Sequence, residues 1–87
     1  MLAANKRQMA EAFVFVNCEA GSQQQVVKEL ESISSVSDVK KVFGVYDIVA
    51  KVKSDTLQGL KKTVSKIRLQ HGIRSTITMT VDEGRSL

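Results

Sequence analysis

The side chains in this sequence that could do chemistry are few and scattered. There is one cysteine, Cys18, one histidine, His71, and one tyrosine, Tyr46, among 87 residues. A nucleophile and its base would have to be drawn from these and from a handful of carboxylates, and no recognisable catalytic pattern joins them. Cys18 sits inside an apolar run (AFVFVNCE, residues 12–19), where cysteine behaves as a small hydrophobe. His71 stands beside Gly72 at a junction between elements, an ordinary place for a surface or capping histidine. A single cysteine forms no intrachain disulfide and no cysteine-based metal site. The sequence therefore predicts no catalytic residue, no metal centre and no cofactor.

Composition agrees with that reading. The chain is 43% hydrophobic and 25% charged, the balance of an ordinary globular domain, and 87 residues make one small domain. So small a core gains readily from association. The net charge of +4 comes from basic residues spread over the chain, Lys6, Arg7, Lys40, Lys41, Lys61, Lys62, Arg68 and Arg74 among them, with no run long enough for a nucleic-acid tail. Residues 1–11 lack the apolar stretch of a secretory signal, and no segment approaches the roughly 20 apolar residues of a membrane span. A soluble, cytoplasmic protein is expected.

The periodicity resolves into six elements. Residues 12–19 form a strand apolar on both faces, Phe13 and Phe15 on one and Val14 and Val16 on the other, so both faces should be covered. Ser22 with Gln25 reads as a capping box opening a helix whose stripe is Val26, Val27, Leu30 and Ile33. Residues 36–43 and 45–53 read as two strands hinged at Gly44 in a tight hairpin. Ser54 or Asp55 caps a second helix carrying Leu57, Leu60, Val64 and Ile67, and Gly72 ends it. Within it, Gly59 either serves close packing or is a tolerated loss. Residues 73–82 alternate strictly, with Ile73, Ile77, Met79 and Val81 on one face and Arg74, Thr76, Thr78 and Thr80 on the other.

The order βαββαβ predicts an α+β, ferredoxin-like domain: a four-stranded antiparallel sheet with two helices on one face. Its boundaries are read as an extension at 1–11, the domain at 12–83 and a tail at 84–87. The uncovered sheet face is expected to be apolar on the first strand, to carry either Val45 and Val49 or Tyr46, Ile48 and Ala50 on the third, and to carry the threonine row on the fourth. It is too apolar to be left to water, so a homodimer packed sheet against sheet, resembling a dimeric α+β barrel, is expected.

The hairpin Gly44-Val45-Tyr46-Asp47-Ile48-Val49 resembles the G-x-Y-D signature of the ligand-binding (RAM) domain of Lrp/AsnC transcription regulators. Gly72-Ile73-Arg74-Ser75-Thr76 resembles the family's segment entering the last strand, and the likeness spans about residues 12–83. The family's domain normally follows a DNA-reading helix-turn-helix, for which 11 preceding residues are too few, so the chain looks like a stand-alone form without direct DNA binding. The resemblance implies an amino-acid effector, dimers assembling into rings that are commonly octamers, and co-assembly with full-length regulators. It places the ligand against Gly44, Val45, Tyr46 and Asp47, with Thr76 and Thr78 adding hydroxyls. The turn's N–H groups would hold a carboxylate, and Asp47 an ammonium.

Three other readings of the same topology are weaker. An ACT-type amino-acid sensor would bind at the loop after the first strand, and Glu19-Ala20-Gly21-Ser22 supports it faintly. An RRM-type RNA binder needs a K/R-G-F-x-F-like string, which is missing. An acylphosphatase-like enzyme needs a positioned Arg and Asn, a pattern not repeated here. A pure assembly adaptor without a ligand is the remaining alternative.

Overall fold

The computed structural model describes residues 10–81. The expected tail at 84–87, most of the expected extension at 1–11, and the end of the last strand at Asp82 lie outside the described residues. The elements run β1 (Ala10–Cys18), α1 (Gln23–Glu31), β2 (Val36–Lys41), β3 (Ile48–Ser54), α2 (Leu57–Arg68) and β4 (Ile73–Thr80). The strands form one antiparallel sheet in the order β2-β3-β1-β4. This is the ferredoxin-like α+β fold that the element order predicts.

The core follows from strand alternation. Ala12, Val14, Val16 and Cys18 of β1 lie opposite or beside Val52, Ala50 and Ile48 of β3, and all are buried. Partners directly opposite on antiparallel strands share a face, so these residues make one apolar layer. The helices close it with Val26 and Leu30 from α1 and Leu60 and Ile67 from α2. Each full burial of a side chain of this kind contributes about 1.5–3 kcal/mol. Leu57, read as part of the α2 stripe, is 53% exposed, and Thr63 joins Leu60 and Ile67 as the third buried position on α2. Its hydroxyl donates to the Gly59 carbonyl at 3.1 Å, which lets a polar residue sit inside.

The threonine row does not lie on the open face. Thr76, Thr78 and Thr80 pair with Val16, Val14 and Ala12, which places them on the helix side at the sheet's edge. Ile77 and Met79 pair with Phe15 and Phe13 and share the uncovered face with Val49 and Lys51. The register slips once, at Asn17/Cys18, where Ser75 pairs with Asn17 but Ile73 pairs with Cys18. Arg74 is the extra residue, and the bulge turns Ile73 inward against the core while Ser75 stays on the open side. Strict alternation along a single strand cannot reveal such a slip.

The caps also differ from expectation. Ser22 precedes α1, but its φ of −99° and ψ of −1° are already helical, and its side chain makes no cap bond. Gln25 instead donates to Glu29 Oε2 at 3.2 Å, one turn along the helix. For α2 the cap is Thr56, neither Ser54 nor Asp55. Its extended backbone aims the hydroxyl to accept from the Gly59 N–H at 2.9 Å. At the other end, Gly72 takes φ +90°, and a Cβ there would come within 3.1 Å of Ser22 Cβ. The α2–β4 turn therefore packs on the β1–α1 turn, and the Glu19 N–H donates to the Gly72 carbonyl at 2.8 Å.

Candidate functional site

The two middle strands are shorter at their shared end than their composition predicts. β2 stops at Lys41 and β3 starts at Ile48, so residues 42–47 form a loop, not a tight hairpin at Gly44. A Val42 N–H to Asp47 carbonyl bond of 2.9 Å closes it. Gly44 has φ +128°, a backbone conformation open to glycine and strained for other residues. Phe43 and Val45 stand fully or largely in solvent at the tip.

This early departure leaves a vacancy in the sheet ladder. In an antiparallel sheet alternate residues turn their N–H groups to one neighbour. Val16 faces β3 and accepts from the Asp47 N–H at 3.0 Å, so the next N–H in that series belongs to Cys18. Regular β3 has not begun there, and the Asp47 carboxylate takes the bond instead, Cys18 N–H to Oδ2 at 2.8 Å. Burial, together with the Asp47 charge beside it, pushes the Cys18 thiol above its ordinary range.

Asp47 also lines a cleft of about 570 Å³ with Gly21, Gln23, Gln24, Lys41, Val42 and Phe43. The β1–α1 turn and the start of α1 form one wall, and the β2–β3 loop forms the other. The cleft thus offers one carboxylate, one ammonium, side-chain amides, and the apolar surface of Val42 and Phe43. Cations and anions placed together in this way suit a small zwitterion.

Of the residues singled out from sequence, the structure brings only Asp47 to this cleft. Gly44 and Val45 lie at the loop tip, and Tyr46 turns to the open sheet face, its ring 5.7 Å from Phe15 at a 55° tilt. Thr76 lines a separate cleft beside Arg68 and Arg74, and Thr78 is exposed on the edge of β4. Lys41, Val42, Phe43, Gln23 and Gln24 were not singled out. The one sequence signal for that wall was the Ala20-Gly21-Ser22 turn, read above in the ACT context. Among the described residues, no group of three or more His, Cys, Asp or Glu side chains is placed to hold a metal, and no helix is long and apolar enough to cross a membrane.

The model of the Lrp/AsnC ligand binding domain matches residues 11–83. The chain belongs to this family. A hypothetical protein from Pyrococcus horikoshii, PHS023, is similar in structure, with a TM-score of 0.80 and 32% identity over 86% of this chain and 92% of that one. The transcriptional regulator NMB0573 from Neisseria meningitidis, solved in complex with L-Met, shares the fold, with a TM-score of 0.75 and 14% identity over 88% of this chain and 53% of that one. The homocitrate synthase of Saccharolobus islandicus is 33% identical over 72 residues, 82% of this chain. The chain spans only 16% of that enzyme's length. An Lrp/AsnC domain of this size therefore resembles a nearly whole small protein, part of a regulator, and a segment of a synthase. Effector binding and regulation are the properties its family description supports.

Proposed function

We propose that this Lrp/AsnC domain binds a free amino acid in the Asp47 cleft and passes occupancy on through its assembly with other copies. The observation that carries the reading is that Asp47 and Lys41 line one cleft together with Val42 and Phe43. Asp47 spends Oδ2 on the Cys18 N–H and keeps Oδ1 for a ligand ammonium. Lys41 meets the ligand carboxylate, and the apolar loop residues take its side chain. Gly44 to Tyr46 and Thr76 and Thr78 act from neighbouring subunits, since they lie away from the cleft within one chain. The L-Met bound by the Neisseria regulator supports an amino acid as the ligand class. The synthase activity of the longer Saccharolobus relative is not carried over.

Assembly follows from the open sheet face, where Phe13, Phe15, Val49, Ile77 and Met79 lie without a helix over them. A second copy packed sheet to sheet buries this surface, and rings of such dimers, commonly octamers in the family, bring the loop tips together. Mixed assembly with full-length regulators of the family is the route by which the domain would reach transcription, and native mass spectrometry of co-expressed chains reads it directly.

The test of ligand binding is thermal unfolding of the purified chain with each free amino acid in turn. A ligand bound to the native state alone stabilises by about 2.7 kcal/mol at one hundred times its dissociation constant. One amino acid, or a small related set, should raise the midpoint, and both Asp47→Ala and Lys41→Ala should abolish the rise. Because Lys41 is exposed and has no described ion-pair partner, its variant keeps the fold and isolates binding from stability. No shift with any amino acid would discard the sensing role.

A further inference from the structure

Charge is divided unevenly along this fold. Residues 10–55 carry seven acids against five lysines, whereas residues 56–81 carry Lys61, Lys62, Lys66, Arg68 and Arg74 and no acid at all. All five of these cations are exposed, and none is in a salt bridge among the described residues. Such an excess of one sign concentrates anions at the surface that bears it, and a concave place there concentrates them further.

The concave place is a cleft of about 340 Å³ between the end of α2 and the start of β4, lined by Arg68, Ile73, Arg74, Ser75 and Thr76. It contains two arginines and no carboxylate. Arg68 alone is accounted for by the last turn of α2, where a cation meets the carbonyl end of the helix. Arg74 has no such role, being the residue that the bulge opposite Asn17/Cys18 leaves unpaired.

The backbone adds a donor. The Val81 N–H bonds the Glu11 carbonyl at 2.8 Å, which sets the phase of the β1–β4 ladder. Odd-numbered residues of β4 turn their N–H groups to β1, and Thr76, Thr78 and Thr80 turn theirs outward. With β4 at the edge of the sheet, the Thr76 N–H has no strand beyond it among the described residues. Arg68, Arg74 and Thr76 thus line one small volume, at a strand edge whose Thr76 N–H has no strand partner among the described residues.

We propose that this cleft binds a phosphate group, with Arg68 and Arg74 as its two bidentate partners and Thr76 as the third contact. Planar guanidinium forks match phosphate oxygens two at a time, and a pair of them balances a dianion. The phosphate belongs either to a free monoester or to a nucleic-acid backbone, and both present the same oxygens to the cleft. Within one chain none of its residues lines the Asp47 cleft, and the two arginines that carry the site have no part in the amino-acid reading.

The test uses the full chain at constant ionic strength, with inorganic phosphate replacing chloride and thermal unfolding as the readout. Phosphate should raise the midpoint in a saturable way. In the Arg68→Ala/Arg74→Ala double variant the affinity should fall about tenfold or more, the loss expected when charge-assisted bonds are removed. Lys61→Ala/Lys62→Ala removes the same charge about two turns earlier on α2 and should keep the response. All four side chains are exposed, so both variants are expected to fold, which circular dichroism checks. A nucleoside monophosphate binding as well as a short single-stranded oligonucleotide identifies the free ester as the source. Tighter, steeply salt-dependent oligonucleotide binding that Arg68→Ala/Arg74→Ala abolishes identifies the backbone. An absent response, or one equal in the two double variants, overturns the site.

Discussion

Asp47 has two oxygens and, on the proposed function, two demands on them. One oxygen holds the Cys18 N–H, which regular pairing would leave stranded because β3 begins too late, and the residue also lines the cleft. Asp47→Ala is therefore expected to cost about 1.5–3 kcal/mol in urea unfolding, the worth of a hydrogen bond to a charged group with its donor left unpaired. Asp47→Asn keeps an acceptor and should cost clearly less, while still losing a ligand ammonium. Comparing the two separates the carboxylate's structural role from its binding role. Cys18 gives a second handle. Its thiol stays protonated in the fold above the ordinary value of 9.0, so the unfolded chain releases that proton first as pH rises. Stability from this group is complete below about pH 9 and is lost as pH climbs from there through the folded value. Cys18→Ala should flatten that alkaline loss, as followed by urea midpoints across the pH range.

At the scale of elements, the helix ends separate genuine caps from apparent ones. Thr56→Ala removes a hydroxyl bonded to the Gly59 N–H and should cost about 1 kcal/mol, whereas Ser22→Ala should change stability by much less, its side chain making no cap bond. Gly59 is retained for a reason of packing. A Cβ there would run into Ser54 Oγ and lie 3.2 Å from Thr56 Oγ1. Gly59→Ala alone should thus fail to deliver the roughly 1 kcal/mol that alanine gains over glycine in a helix, while Ser54→Ala/Gly59→Ala should recover most of it. Denaturation midpoints of the three variants check the claim. If the single change stabilises as fully as the double, the contact is not what holds glycine in place.

At the scale of the molecule, the proposed assembly rests on the uncovered sheet face. Ile77 and Met79 are 46% and 57% exposed beside Phe13 and Phe15, a continuous apolar surface. One ion pair crosses it, Lys51 Nζ to Glu11 Oε2 at 3.4 Å, with the ammonium 5.9 Å over the Phe13 ring. Packing of a second copy would bury these rings and aliphatic chains without stranding either charge, since each already has its partner. Ile77→Lys should leave the circular dichroism spectrum intact while weakening dimerisation at least tenfold by sedimentation equilibrium, because an unpaired ammonium would then enter the interface. Dimers unchanged in this variant would mean that another surface carries the contact.

The order of elements, their types and the apolar faces of β1 and both helices are determined by local sequence. Apolar residues at periods of 2 and 3.6 announce themselves within a few positions, as Val14 and Val16 do on β1 and Leu60 and Ile67 on α2. The G-x-Y-D segment likewise marks the family from the sequence alone. What only the tertiary structure decided depends on register between distant residues. The pairing of β4 with β1 sets the threonines on the helix side, the slip at Asn17/Cys18 turns Ile73 inward as well, and no single strand contains that information. The late start of β3 turns the expected hairpin into a loop and gives Asp47 a ladder position to fill. The cleft itself joins the turn at Gly21 to the loop at Lys41–Phe43, some twenty residues on, so it exists only once β1, β2 and α1 have met. Periodicity reports which face of an element is buried; the pairing of elements decides what each remaining side chain faces.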